Sequence, residues 1–320
     1  MGRTPFDYLA DRVTWSPRVL RWAATSALVV SILIIFTGGV VRVTGSGLGC
    51  PTWPSCNPDS LAPTGVMGIH GIIEFANRVF SAFMAVPVAW VIIAARLQKP
   101  RERSLTRLAW SQFWLVVANA IAGGITVLTG LNPWVVSLHF VMAIALLSTT
   151  TLTWHRVHER VQMTPPPPHL SARRLSWVLV VASLVLIMVG TLVSGSGPHS
   201  GDSAEVSRMP LDWVAVTVVH GLLGTATLVL AIVLWVVLRR DPNAVLARRR
   251  VVIFVAVVIA QGAIGVIQAL DSLPALLVAI HLLGAAVVWA GVLRVLLEVN
   301  PTLFRGIPRD QFQPQEALSL

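Results

Sequence analysis

The stretch LSWVLVVASLVLIMVGTLVSG, residues 175–195, carries no charged side chain and is long enough to cross a lipid bilayer. A transmembrane helix needs about 20 predominantly apolar residues to span ~30 Å of hydrocarbon. Similar stretches occur at 22–43, 71–95, 107–129, 134–154, 213–238, 250–270 and 274–297. The sequence therefore predicts an all-α polytopic membrane protein with eight transmembrane helices, and it excludes a soluble globular domain.

Composition and charge agree with this class, since 55% of residues are hydrophobic and only 12% are charged. The net charge of +10 does not indicate a nucleic-acid partner, because the basic residues are concentrated in alternate loops between the apolar segments. They lie before the first segment and after the second, fourth, sixth and eighth. The intervening loops hold only Arg208, with Arg42 at a helix end. The positive-inside rule predicts a multi-pass plasma-membrane protein with cytoplasmic termini and contacts to anionic membrane lipid.

The chain divides near its middle, where four consecutive prolines, Pro165 to Pro168, indicate a stiff linker. The first apolar segment is too long for a cleavable signal peptide and is expected to remain as a helix. His155, His158 and His169 fall in the central loop and are expected to be solvated. The predicted units are an N-terminal segment, an N-terminal four-helix half, a linker, a C-terminal four-helix half and a tail, at 1–21, 22–160, 161–174, 175–298 and 299–320.

The two halves resemble each other in sequence. The first segment ends in GGVVRVTGSG (38–47) and the fifth in GTLVSGSG (190–197). The third ends in AGGITVLTGL (122–131) and the seventh in QGAIGVIQAL (261–270). Because each half has an even number of spans, repeats of this kind run parallel, related by an axis along the membrane normal. We therefore expect two pseudo-symmetric four-helix bundles.

Three histidines lie six to nine residues inside the same end of the fourth, sixth and eighth segments: His139, His220 and His281. The second segment has Asn77 at the corresponding depth. A charged group at the bilayer centre costs ~2.5 to 3.5 kcal/mol on insertion scales, so ionisable residues there usually mark a site. Imidazole is a standard axial ligand of haem iron, although a lone histidine can also join two helices by a hydrogen bond. The pattern predicts two pockets, one holding His220 with His281 and one holding Asn77 with His139.

Glu74, Asn77 and Arg78 are spaced i, i+3, i+4 and share one helical face. In one interpretation Glu74 and Arg78 neutralise each other. In the other, Glu74 handles protons beside a reactive centre, while Arg78 or Arg42 binds a haem propionate. The sequence leaves both open.

The first outer loop contains the chain's two cysteines, Cys50 and Cys56. The oxidising side of a membrane favours a disulfide between them. Idle thiols and a redox-active pair are the alternatives. His70 and His199 also fall at the outer surface, either as ordinary loop residues or beside a site.

The stretch GGVVRVTGSGLGCPTWPSC (38–56), followed by EFANR (74–78), resembles the heme A synthase (CtaA) family, as do GSGPHSGD (195–202) and the three histidines. The resemblance implies an eight-helix oxidoreductase that oxidises the C8 methyl group of heme O to the formyl group of heme A through hydroxylated intermediates. It implies a haem b cofactor on His220 and His281, used for electron transfer. The substrate haem would lie by His139, with Glu74 near the reacting methyl group. The paired loop cysteines map to Cys50 and Cys56, and the implied partners are heme O synthase and cytochrome oxidase assembly.

The chain departs from the family pattern at Asn77, where a histidine often stands. An amide is a poor iron ligand, so His139 alone would hold the substrate haem and leave its sixth position open or weakly occupied. A second cysteine pair, present in some members, is also absent.

Two other classes of protein remain open. A di-haem electron-transfer cytochrome would use the same histidines, but with symmetric ligation and no need of Glu74. A repeat-built transporter would need broken helices at the midplane, whereas the polar residues here lie shallow on helices that are expected to be intact.

Overall fold

The computed structural model describes Tyr8 and residues 12–158, 168–199, 201–203, 206–301 and 303. Much of the predicted N-terminal segment, the tail and the four-proline stretch lies outside these residues. The helices are α1 (Pro17–Val43), α2 (Gly68–Phe83), α3 (Ala85–Arg96), α4 (Arg103–Leu128), α5 (Pro133–His158), α6 (Leu170–Ser196), α7 (Trp213–Leu238), α8 (Val245–Leu270) and α9 (Ala275–Val299). Within the described ranges they form eight spans long and apolar enough to cross a membrane, which confirms the predicted fold class.

Several helices extend beyond the apolar segments at the arginine-rich end of the molecule. Helix α1 begins at Pro17, α5 continues to His158 and α6 begins at Leu170. Long basic side chains can place their charge in water while the backbone stays helical. The expectation that His155 and His158 are solvated loop residues is therefore wrong, because both are half-buried on the last turn of α5.

The second span is not the intact helix that was expected, because it breaks at Met84 into α2 and α3. Pro87 explains the break, since its ring lacks an N–H and clashes with the carbonyl four residues earlier, that of Phe83. The Met84 N–H bonds to the carbonyl of Ser81 instead of one four residues back. The break lies seven residues beyond Asn77, so the candidate site itself remains on regular helix.

The same packing order occurs in both halves. In the N-terminal half α1 packs against α5, and in the C-terminal half α6 packs against α9, closing each set of spans into a bundle. The bundles meet through α1, α5, α6 and α9. Ile35 of α1 and Ile144 and Leu147 of α5 belong to the same buried cluster as the core of α6–α9. The largest core therefore crosses the boundary between the halves.

Two interhelical turns share an uncommon conformation. Gly130 and Leu131 before α5 have φ of 61° and 58°, and Ser272 and Leu273 before α9 have φ of 53° and 60°. Left-handed backbone costs roughly 1–2 kcal/mol at a non-glycine residue, so its recurrence is informative. His139 and His281 each follow by eight residues. Leu131 therefore corresponds to Leu273, and our sequence pairing of Leu131 with Leu270 was three residues out of register. Symmetry of the whole halves remains a prediction.

A short contact between two loops joins the halves at the end of the molecule that carries Cys50 and Cys56, called the disulfide end below. We call residues 201–203 with 45–48 the strap. The Gly47 N–H donates to the Gly201 carbonyl at 2.8 Å, and the Ser203 N–H donates to the Gly45 carbonyl at 3.0 Å. A Cβ on Gly47 would lie 2.7 Å from the Gly201 oxygen, so only glycine fits there. The GSG motif of the first span thus has a packing role.

Candidate functional site

His220 and His281 face each other inside the C-terminal bundle. They lie seven and six residues after the starts of α7 and α9, about 10 Å along each helix. These helices sit on a diagonal, because both pack against α6 and α8. The ring centroids are 6.3 Å apart and the ring planes are inclined by 69°. The structure therefore brings together the two residues that the sequence predicted as a pair.

This spacing fits two axial ligands of one metal. Imidazoles bonded at ~2.0 Å on opposite sides of a metal have ring centroids about 6 Å apart. The described residues contain no group of three or more His, Cys, Asp or Glu side chains arranged to hold a metal ion. A metal between His220 and His281 would therefore need its other ligands from the group that carries it. A porphyrin supplies four nitrogens in that way.

One nitrogen of each imidazole ring has no hydrogen-bond partner among the described residues. Nδ1 of His220, His281 and His139 is buried and has no hydrogen-bond partner. The His220 ring does approach the backbone of Leu186, but without the geometry of a hydrogen bond at Nδ1. Buried polar groups are normally paired. His139 and His281 therefore do not join two helices through Nδ1, whereas the His220 ring contacts the backbone of the neighbouring helix at Leu186.

Each of the three imidazoles packs against a glycine of the preceding helix. A Cβ would lie 3.1 Å from Cε1 of His220 if placed on Gly190, 3.4 Å from Cε1 of His139 on Gly123, and 3.7 Å from Cε1 of His281 on Gly265. The sequence analysis gave these glycines no role. A signal was present, however, because His139 and His281 each follow their glycine by sixteen residues.

His139 and Asn77 lie in the N-terminal bundle on helices that do not pack closely together. Helix α5 packs against α1 and α4, and α2 packs against α1 and α3. Oδ1 of Asn77 is buried without a hydrogen-bond partner, as is Nδ1 of His139. As in the C-terminal bundle, the two helices lie on a diagonal, and no described hydrogen bond joins the two side chains.

Trp53 is a further residue that had no predicted role. Its ring packs on Gly124 of α4, where a Cβ would lie 2.6 Å from the indole. The neighbouring Gly123 is the residue against which His139 packs. Trp53 therefore brings an aromatic surface of the disulfide loop close to the N-terminal site. It stands in the CPTWPSC motif, but the letters alone do not show that the loop folds back onto α4.

Glu74 connects this loop to α2. The residue is only 4% exposed, and its carboxylate accepts hydrogen bonds from the Cys50 N–H and from Arg78. Arg78 also donates to the carbonyls of Cys50, Thr52 and Ser55. The contact between Glu74 and Arg78 is thus present, and all three Arg78 nitrogens have acceptors. Proton handling by Glu74 and propionate binding by Arg78 remain predictions.

Arg42 has fewer hydrogen-bond partners than Arg78. It donates one hydrogen bond, from Nη2 to the carbonyl of Ser194 on α6, while its Nε is buried without a partner. No ion pair joins it to a carboxylate of the described residues. A guanidinium inside a membrane protein normally pairs with an anion. Arg42 is therefore better placed than Arg78 to receive a propionate.

The remaining predicted residues of the disulfide end have structural contacts. Cys50 and Cys56 form the expected disulfide. His70 Nδ1 lies 3.0 Å from Ser46 Oγ, and His199 Nε2 donates to the Leu273 carbonyl at 2.9 Å. The two histidines thus hold the strap and the turn before α9.

The fold and site define a polytopic helical membrane protein with a half-buried histidine pair inside its C-terminal bundle. The sequence profile of the cytochrome oxidase assembly protein family matches residues 20–293, and the chain belongs to this family. This confirms the resemblance to heme A synthases of the CtaA type.

Curated relatives agree with this assignment. Heme A synthase of Staphylococcus epidermidis is 26% identical over 196 residues, covering 60% of this chain and 63% of the relative. The enzyme of Lysinibacillus sphaericus is 26% identical over 180 residues, covering 55% and 58%. That of Staphylococcus carnosus is 27% identical over 198 residues, covering 61% and 62%. The chain thus matches about three fifths of the length of these relatives.

Proposed function

We propose that this protein is a heme A synthase, an oxidoreductase that converts the C8 methyl group of heme O to a formyl group through hydroxylated intermediates. The observation that carries the proposal is the pair His220 and His281, with ring centroids 6.3 Å apart and no protein partner at either Nδ1. The relatives' name, heme A synthase, supports the product, and the conversion of the methyl group is what the family resemblance implies.

The C-terminal bundle would hold haem b as a resident cofactor. His220 and His281 would hold it through ring nitrogens, and Gly190 and Gly265 leave room for the two imidazoles. A haem held in this way supplies one-electron transfer. The residues present therefore fit the group that the family implies.

The N-terminal bundle would bind the substrate. His139 would hold the iron of heme O from one side, while Asn77 leaves the other side without a strong ligand. Arg42, which has a buried nitrogen to spare, would bind a propionate. Glu74 would stand near the reacting methyl group and accept or stabilise charge there.

In its cellular setting the protein would lie in the plasma membrane with cytoplasmic termini, beside heme O synthase and the cytochrome oxidase assembly machinery.

Pigment analysis tests the reaction directly. The chain should be expressed beside a source of heme O, purified and extracted with acidic acetone. The expected extract contains haem b together with heme O or heme A, and heme A should be missing from cells that lack the chain. Haem b alone in both bundles would overturn the proposal and favour the di-haem electron-transfer cytochrome.

Replacing Asn77 by histidine should convert the substrate site into a second bis-histidine site. We expect the N-terminal haem to become low-spin and to leave the protein at least about tenfold more slowly, since even indirect support of a metal ligand changes affinity by 10–100-fold. Transfer of the haem to apomyoglobin measures the rate.

The matched control for this change is Asn77→Gln, which keeps the amide and should exchange its haem as the wild type does. An unchanged exchange rate in Asn77→His would show that position 77 does not face the iron.

A further inference from the structure

A basic cavity lies at the opposite end of the molecule from the haem sites, where α1 begins and α5 ends. It has a volume of about 280 Å³ and is lined by Arg18, Arg21, Trp22, Thr25 and His158. The four α1 residues are spaced i, i+3, i+4 and i+7 and therefore share one helical face. His158 closes the cavity from the neighbouring helix. We call this cavity the basic cleft.

The walls of the cleft are fixed by hydrogen bonds. Thr25 Oγ1 donates to the Arg21 carbonyl at 2.8 Å and accepts from Trp154 Nε1 at 3.1 Å. His158 Nδ1 lies 2.8 Å from the Trp154 carbonyl. Because a carbonyl oxygen only accepts, Nδ1 must carry the proton, which leaves Nε2 for a ligand. The cleft is therefore a preformed recess between two helices.

Within the part of the chain that the structure describes, no carboxylate neutralises the charge of the cleft. No ion pair joins Arg18 or Arg21 to a carboxylate of the described residues. A third guanidinium group, that of Arg294, lies next to the cleft. Its Cζ is 4.6 Å from the centroid of the Trp154 ring. By contrast, Arg156 and Arg250 at the same end have acidic partners. The cleft therefore presents two unpaired cations to one small volume.

The position of Trp22 shows where the basic cleft lies relative to the membrane. Its side chain is 67% exposed beside the two arginines, on the first turns of a transmembrane helix. Tryptophan is enriched at the level of lipid headgroups, where its ring contacts acyl chains and its N–H contacts the polar layer. Basic pockets between transmembrane helices bind acidic headgroups. We propose that the basic cleft binds the phosphodiester headgroup of an anionic phospholipid, with the arginines on the phosphate and Trp22 against the upper acyl chain.

The test uses the purified full-length protein in neutral detergent, titrated with dioctanoyl phosphatidylglycerol and followed by native mass spectrometry. Dioctanoyl phosphatidylcholine and inorganic phosphate are titrated in parallel. We expect phosphatidylglycerol to bind at least about tenfold more tightly than phosphatidylcholine. The double variant R18A/R21A should weaken that binding on the order of thirtyfold, since each arginine near an anionic lipid contributes about fivefold.

The matched control is R240A/R249A, which removes two exposed arginines from the same end of the molecule and should change affinity less than about threefold. Circular dichroism confirms helicity, and R18Q/R21Q replaces the alanine variant if that variant does not fold. Equal weakening in both double variants would show diffuse surface charge and overturn the proposal. Displacement of the lipid by an equal concentration of inorganic phosphate would also overturn it, because the cleft would then recognise a free anion.

Discussion

Replacement of His220 or His281 by alanine will abolish the bis-histidine haem b spectrum of the purified protein. Each variant removes one of two imidazoles whose centroids lie 6.3 Å apart, and the described residues contain no group of three or more His, Cys, Asp or Glu side chains that could hold a metal ion. The low-spin absorbance should fall below about a tenth of the wild-type value, given the 10–100-fold losses that follow even indirect damage to a metal site. Absorbance spectra with pyridine haemochrome quantification measure the loss.

His199→Ala is the control for this prediction. His199 is also a histidine of the C-terminal half, but it is hydrogen-bonded to the Leu273 carbonyl in the loop region. It should therefore keep the full b-type spectrum. A normal low-spin spectrum in His220→Ala or in His281→Ala would remove the assignment of that residue as a ligand.

Replacement of Glu74 by glutamine should leave both haems bound and stop the reaction. Glutamine keeps one of the two acceptor oxygens that Glu74 uses for the Cys50 N–H and for Arg78, and it carries no charge. General acid–base groups contribute about 10²–10⁴-fold to rate, so heme A should fall by about a hundredfold while heme O or a hydroxylated intermediate accumulates. His139→Ala should instead lose the substrate haem. Chromatography of extracted pigments separates the two outcomes.

Arg78→Lys separates catalysis from loop anchoring. Lysine keeps the positive charge beside Glu74 but cannot reproduce the donors that Arg78 offers to the carbonyls of Cys50, Thr52 and Ser55. We expect most heme A formation to survive this change. Equal losses in Arg78→Lys and Glu74→Gln, or a normal heme A yield from Glu74→Gln, would reduce Glu74 to an anchor of the disulfide loop.

The spans and the histidine pair were predictable because both depend on bilayer physics. The length of an apolar segment matches the thickness of the hydrocarbon layer. An ionisable residue within such a segment costs free energy, so it stands out in the sequence. Helix ends were less predictable, because hydropathy reports where the bilayer ends and not where the hydrogen bonds of the helix end. Helix α5 therefore runs on to His158, beyond the predicted end of its apolar segment. Pro87 was a sequence signal for the break at Met84. The residues around it are uniformly apolar, however, so hydropathy predicted one continuous segment.

The loop contacts of the site were not predictable from the sequence. Glu74 and Arg78 could be placed on one helical face, but the acceptors and donors that they use belong to residues 50–55, more than twenty positions away. The same holds for Trp53 on Gly124 and for Arg42 on Ser194. Each contact depends on how a loop folds back over a bundle, and no periodicity in the sequence encodes that path.

The core shared between the halves has a consequence for how the protein is made. Helices α1 to α5 enter the membrane first, and the faces of α1 and α5 that later meet α9 are then solvated by lipid. Lipid can cover Ile35, Ile144 and Leu147 at little cost, but it cannot replace the Ser194 carbonyl that accepts from Arg42. The N-terminal bundle therefore completes its polar contacts only after α6 has been inserted. Biogenesis should proceed as a single event for the whole chain, although the sequence reads as two repeats.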